Sequence, residues 1–497
     1  MTFLKKMLLA IGLVFSVVAC GNEKNRKTIP TEPVKDKFTD KIQLNWVLDE
    51  AYYKHSDSKI FAYLNQLLDE KGYDFIINPV PAKLNGAGFI QSLKKMKDEN
   101  KPTDIICTGY QLGTVTEFSM YSEAVAQKLL YPLDSLFSEE KVKCWQEFYP
   151  EQALEMMRRD GKIYGVTFNH FGDSLYSAAL NRELMEQYNV APLAEYSFMG
   201  YLDKLAEIKE KAEQNGNGIG APDIEISAIC TELGYFRYRD FWLKEGKDGK
   251  IEFANPYEDP DVIDYLIAIR RFWEQWNGKN GIAESSLSGS EGESGYYRML
   301  PPTMSYGNQS LYYPAYTYEP ERNIWIYRIE DDDIGIASWS EHPQEAFEFL
   351  TLLATDSDVA NLLYYGVYGV AYELVDGCAR RLDTSEYEGV GLGSYGNVNM
   401  AIVYPEDCEP RNKVKVFREH WNYISVYPQT LVNPYDWKMS AKEEEIAQVF
   451  KRAELLWLGE CENPKEYAEE ICVELQQKGA YDLFQSKNDK LYAEDER

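Results

Sequence analysis

Between residues 42 and 107 the sequence alternates two hydrophobic periods, and this limits the folds open to it more than any other feature. Ile42, Leu44, Trp46 and Leu48 fall at every second position, with Gln43, Asn45 and Val47 between them. Successive side chains of a strand point to opposite faces, so this spacing predicts a strand. Ile60, Phe61, Leu64, Leu67 and Leu68 then recur at the steps that line one face of a helix. Ser56 or Asp57 can cap that helix, and Gly72 can end it. A second strand is expected over Asp74 to Pro79, a helix around Phe89, Leu93 and Met96, and a third strand over Asp104 to Cys107. Strand, helix, strand, helix, strand implies a parallel sheet covered by helices, because parallel neighbours need a long crossover. Ligands on open sheets of this kind bind beyond the carboxyl ends of the strands. The loops Asp49 to His55 and Thr108 to Leu112 are therefore the first candidate site.

The N-terminus is built differently. Lys5 and Lys6 precede an apolar run, Met7 to Ala19. At about 1.5 Å per residue such a run spans roughly 20 Å, short of a bilayer core of about 30 Å, so it reads as a signal peptide. It ends in Val17-Val18-Ala19-Cys20 followed by Gly21, which resembles a bacterial lipobox. That motif implies lipidation at Cys20 and an extracytoplasmic, membrane-anchored location. Gly21 to Asp40, rich in Lys, Asn, Pro, Thr and Glu, is too polar to fold alone and is expected to be a tether.

The chain beyond Asp40 is too long for one core, and two or three domains are expected. The formal charge of −29 argues against nucleic acid and against a polybasic membrane face. Apart from Cys20, seven cysteines remain, an odd number without a C-x-x-C, so no disulfide framework is indicated.

Further along, Leu130-Tyr131-Pro132-Leu133-Asp134 and Asp160-Gly161-Lys162-Ile163-Tyr164-Gly165-Val166 resemble segments of the extracellular solute-binding proteins of bacterial sugar ABC importers. Asn169 to Asn181 resembles that family's first crossing between lobes, with Thr167 where proline is common. The stretch Ile334 to Leu374, IGIASWSEHPQEAFEFLTLLATDSDVANLLYYGVYGVAYEL, is similar to the LipO-like branch, and Gly396-Asn397, Asn433-Pro434-Tyr435-Asp436 and Leu475 to Asp482 continue its order. Its physics is sensible alone, with Pro343 at a helix start and Ala346, Phe347, Leu350, Leu353 and Ala354 on one stripe. The resemblance implies an α/β, two-lobed periplasmic-binding-protein-like (type II) fold with interlobe crossings and a central cleft. Its partners would be a small ligand, most simply a carbohydrate, and ABC permease subunits. Membrane contact would be through the lipid alone, with no cofactor, no metal and a monomeric state. The expected division is residues 1–19 signal peptide, 20–40 lipidated cysteine and tether, 41–168 plus about 300–335 the first lobe, and 169–299 plus about 336–497 the second lobe with C-terminal helices. Crossings are expected near Phe168 to Ser174, Met299 to Tyr306 and Ile329 to Trp339.

The chain carries 38 Tyr, 10 Trp and 21 Phe, the side chains that stack on the apolar face of a sugar ring, while Asp, Asn and Arg meet its hydroxyls. Candidates on strand ends and crossings are Trp46, Asp49 and Tyr110, then Asn169, His170 and Asp173 on the first crossing, and Tyr306 and Asn308 near the second. Tyr235, Arg239 and Trp242 belong to the far lobe, Trp339 to the third crossing, and Tyr368 and Tyr372 to the segment after Gly366. Trp46 suits a core equally, since it shares a face with Ile42 and Leu44.

The four histidines show no zinc spacing, and no G-x-S-x-G elbow is present. Gly391-x-Gly393-x-x-Gly396 lacks the strand and helix a dinucleotide fingerprint needs, and Asp331-Asp332-Asp333 lacks EF-hand spacing. A surface glycoside hydrolase stays open as an alternative, since two carboxylates at the right separation could come from 81 Asp and Glu. Binding of peptide or another non-sugar solute, or a purely adhesive role, also stays open.

Overall fold

The computed structural model describes residues 38–49, 57–82, 88–108, 120–147, 151–167, 176–193, 198–220, 222–224, 226–246, 249–276, 295–299, 312–317, 324–326, 333–382, 424–426, 431 and 439–492. The apolar leader, Cys20 and most of the expected tether lie outside them. No helix among the described residues is long and apolar enough to cross a membrane.

The chain first lays down β1 (Ile42–Asp49), α1 (Asp57–Glu70), β2 (Phe75–Ala82), α2 (Phe89–Asp98) and β3 (Ile105–Cys107), the alternation read from the sequence. Next come α3 (Met120–Ala126), α4 (Glu139–Gln146), α5 (Glu151–Met156), β4 (Arg158–Arg159), β5 (Lys162–Ile163) and β6 (Gly165–Thr167). A second body begins with β7 (Tyr176–Asn181), α6 (Arg182–Gln187), α7 (Phe198–Gln214), β8 (Asp223–Ile224) and α8 (Ile226–Glu232). It continues through β9 (Tyr235–Tyr238), β10 (Phe241–Glu245), β11 (Ile251–Phe253), α9 (Pro260–Gln275), β12 (Gly295–Met299) and β13 (Tyr312–Thr317). After β14 (Ile324–Ile326) come β15 (Asp333–Ile336), α10 (Pro343–Thr355), α11 (Ser357–Tyr365), β16 (Tyr372–Val375) and β17 (Cys378–Arg381). The last elements are β18 (Ile424–Val426), α12 (Ala441–Trp457), α13 (Pro464–Gln477) and α14 (Ala480–Leu491).

The first sheet has the order β2-β1-β3-β15-β6. Its first three strands are parallel, and β15 enters antiparallel to both neighbours. Leu44, Trp46, Val47 and Leu48 of β1 are all buried, as expected for a central strand covered on both faces. The edge strand β2 is tied to α1 by Asn65, whose side chain donates to Ile77 O (2.9 Å) and accepts from Ile77 N (2.7 Å). Where β15 meets β6, Gly335 lies opposite Gly165. A Cβ on Gly335 would stand 2.9 Å from Leu130 Cδ2 and 3.0 Å from Tyr164 O, so any larger residue at this junction would press on both.

The second body is mostly antiparallel. Its sheet β13-β7-β12-β8 pairs β7 antiparallel with β12 and β13, and a separate meander runs β11-β10-β9. The C-terminal helices close it. Trp242 of β10 lies 5.7 Å from Trp457 of α12, Phe241 lies 6.2 Å from Phe450, and Trp457 Nε1 donates to Tyr257 OH (3.2 Å). Side chains at the chain's end satisfy the open edge of β11: Phe253 N donates to Asn488 Oδ1 (2.7 Å) and Ile251 N to Tyr492 OH (2.8 Å). Ser440 and Glu443 form a capping box on α12.

Two domain expectations need correction. Residues 336–365 belong to the first body, because α10 places Phe349 against Trp46 (5.5 Å) and Phe347 against Trp145 (6.4 Å), and α11 packs on α1. Of the span 300–335, β13 belongs to the second body, since it pairs with β7. The first passage between bodies falls between Thr167 and Tyr176, and the expected crossing residues 168–174 lie outside the described residues. The return lies between β13 and β15, so it overlaps the start of the expected Ile329 to Trp339 crossing but not Met299 to Tyr306, and the last passage lies between β17 and α12. The physical cause is register. β12 and β13 both flank β7, so the chain is still within the second body at Thr317.

Candidate functional site

The strand directions fix where the two bodies exchange chain. β1 and β3 run toward Asp49 and Cys107, β6 runs toward Thr167, and β15 starts at Asp333, paired with Thr167, while Ile334 pairs with Cys107. In the second sheet Met299 pairs with Tyr176, and Thr317 with Ser177, so β7 begins where β12 and β13 end. The carboxyl edge of the first sheet thus carries both the outgoing and the returning chain. This is the edge where the sequence placed its candidate loops. Thr108, immediately past β3, is a polar side chain only 2% exposed at that edge. It had no sequence signal beyond its place after a strand.

Asp49 ends β1 as expected. Tyr110, Asn169, His170, Asp173, Tyr306 and Asn308 lie outside the described residues. Trp46 is a core residue: fully buried, it meets Phe61 edge-on at 6.0 Å as well as Phe349. Trp242 is likewise core, 1% exposed, with the Arg237 guanidinium 5.1 Å over its ring. Tyr235 is 2% exposed and works as scaffold. Its hydroxyl donates to Asp259 Oδ2 (3.0 Å) and accepts from Lys244 Nζ (3.1 Å), and Asp259 caps α9. Burial, chiefly, pushes the Tyr235 hydroxyl up to about 12, so it stays protonated as a donor.

Arg239 sits in the turn between β9 and β10 at φ 55°, its guanidinium 5.7 Å over Tyr238. Trp339 stands away from the carboxyl edge. Because β15 is antiparallel to β3, its end lies at the amino end of β3, and there Trp339 Nε1 donates to Lys101 O (3.0 Å). The expectation that Trp339 lines a crossing is therefore wrong.

Tyr368 belongs to an aromatic group that the structure does bring together. Tyr365 and Tyr372 lie 5.0 Å apart, Tyr368 meets Tyr372 edge-on at 5.4 Å, and Arg381 lies 5.2 Å over Tyr364 and 5.1 Å over Tyr365. Tyr368 itself is 38% exposed. The hairpin β16–β17 makes the group possible: Asp376 and Gly377, with φ of 53° and 83°, form its two-residue turn. Asp-Gly between alternating stretches is a strong hairpin signal, and it would have pointed to Arg381 as a partner of these tyrosines.

No family model matches the chain. A carbohydrate ABC transporter substrate-binding protein of Streptococcus pneumoniae is 24% identical over 262 residues, which are 49% of this chain and 51% of that protein. The chain thus spans about half the length of the curated relative it matches. The N-glycan transport solute binding protein NgtS of Streptococcus pneumoniae superposes over 91% of this chain and 98% of its own, with a TM-score of 0.62 and 18% identity. Its complex with Man1GlcNAc covers 91% and 99%, with a TM-score of 0.55 and 17% identity. The fold is therefore the α/β, two-lobed fold of solute-binding proteins.

Proposed function

We propose that this protein is the substrate-binding component of an ABC importer and captures a carbohydrate between its two lobes. The observation that carries this reading is topological. The chain passes three times between two α/β bodies built on separate sheets, and the first two passages meet at the carboxyl edge of the first sheet. The curated relative is named for carbohydrate transport and NgtS for N-glycan transport, which supports a sugar as ligand. A hinge motion would close the lobes on it. Moving such an equilibrium from 1:99 to 99:1 takes about 5.5 kcal/mol of preference for the closed form. A micromolar ligand supplies about 8.2 kcal/mol, so closure needs no covalent step and the sugar leaves unchanged for the permease.

A lipid on Cys20 would hold the protein at the outer face of the cell membrane, and the sequence Val17-Val18-Ala19-Cys20 supports this. Replacing Cys20 with Ala should move the protein from the membrane fraction to the medium, or leave it unprocessed; unchanged anchoring refutes the lipid. For the binding role, a thermal-shift panel of mono- and oligosaccharides is the test, because stabilisation grows with ligand concentration over Kd. Saturable stabilisation by a saccharide without release of reducing ends fits a binding protein. Cleavage of the saccharide would instead make the protein a hydrolase.

A further inference from the structure

The position of Tyr368 relative to the crossings bears on how long the ligand is. Lys71, just past the end of α1, pairs with Asp356 (2.8 Å) and Asp358 (3.0 Å) at the start of α11, and α11 packs on α1. Because α1 descends from the carboxyl end of β1, α11 climbs back toward that edge, and the turn after it carries Tyr368. α1 packs on β2, the outermost strand of the first sheet, whereas the first two crossings attach at β6 and β15 on the other side. In the order β2-β1-β3-β15-β6, three ladder steps separate β2 from β15 and four separate it from β6. At about 4.8 Å each they come to roughly 14–19 Å, several times the width of one sugar ring.

The Tyr368 ring is also held in place. Tyr372 meets it edge-on, Tyr365 backs Tyr372, Arg381 lies on Tyr365, and Gly369 N donates to Tyr372 O (2.7 Å). An aromatic ring fixed before binding loses little freedom when a ligand stacks on it. Leu455 and Val473, the other exposed large hydrophobic residues among those described, lie on the C-terminal helices.

We propose that Tyr368 is an outer stacking subsite that makes the protein select an extended oligosaccharide, on the order of three to four rings at about one ring per ladder step, over a single sugar. The inference rests on the carbohydrate-binding reading. A one-ring ligand held at the crossings would not reach Tyr368, so only longer chains would gain from it.

Calorimetry with malto-, manno- and N-acetylglucosamine oligosaccharides of one to six rings tests this on the parent, Tyr368→Ala and Tyr368→Phe. In the series that binds, parent affinity should rise with length. Tyr368→Ala should lose about tenfold for the long members and nothing for the shortest, while Tyr368→Phe keeps the parent pattern. A uniform loss at every length makes Tyr368 merely structural and overturns the proposal. A parent that binds one ring as tightly as four overturns it while leaving the carbohydrate reading intact. Failure of every saccharide removes both.

Discussion

The two lobes bury their sheets by different routes. In the first, parallel strands force each connection through a helix, so the central strand β1 is covered on both faces and its packing comes from α1 and, much later in the chain, from α10. In the second, the antiparallel meander β9 to β11 pairs through short turns, and its large aromatics are covered by α12 and α14 from the end of the sequence. Each lobe is thus completed by a segment that returns from elsewhere: residues 333–365 for the first, 439–492 for the second. Two sheets with separate late contributions should respond separately to damage, and that gives the contrast its tests.

The largest effect is expected from Trp242→Ala. Removing a fully packed indole from beside Trp457 should cost about 3–5 kcal/mol in the second lobe and leave the first lobe's transition in place. Denaturant unfolding followed by hydrogen exchange at both sheets would show it; equal loss of protection in β1 would mean that the lobes do not unfold independently. Gly335→Ala addresses the other side. Its new Cβ would press on Leu130 and on Tyr164 O, and overpacking of this kind costs about 1–3 kcal/mol, here in the first lobe alone.

Acid should separate the lobes next. At Glu443, burial alone would raise the carboxyl, but Lys487 and the N–H and hydroxyl of Ser440 outweigh it, and the group is held below its ordinary value. At Asp259, burial is again outweighed, by Lys244, Asp261 N and Tyr235, with the same result. A carboxylate lowered by folding contributes stability above its unfolded value of about 4, and that contribution disappears as pH falls through the lower folded value. Both groups lie in the second lobe. In the first lobe, Glu155 is lowered by Arg158, but that side chain is 49% exposed and counts for less. The second lobe's melting midpoint should therefore drop more steeply between about pH 5 and pH 2. Parallel decline of both would contradict this. The smallest effect is expected from Tyr238→Phe, which removes the bond from the buried hydroxyl to Leu431 O (2.9 Å) at a cost of about 1 kcal/mol, confined to the second lobe.

The contrast also explains what could be read from the sequence. β1, α1, β2, α2 and β3 were legible because neighbouring residues carry the signal: a period of two, a period near 3.6 and a glycine stop. The carboxyl edge as the candidate site came from strand direction alone. The lobe that receives a later segment is not written locally. Ala346, Phe347, Leu350 and Leu353 announce a helix with an apolar face, but nothing nearby says that Phe347 meets Trp145 or that Phe349, beside that face, meets Trp46. Aromatic side chains misled for a related reason. Trp46 and Trp242 are as suited to a core as to a sugar, and only the long-range partners Phe349 and Trp457 decide it. Trp339 was misplaced because β15 runs against β3, a pairing between residues more than two hundred positions apart.

Every functional claim for this chain depends on two lobes closing over one saccharide. Small-angle X-ray scattering of the protein, alone and saturated with the sugar that stabilises it most, measures that directly. A smaller radius of gyration in the loaded sample is the predicted result. An unchanged radius, with binding confirmed in the same sample, would contradict the account.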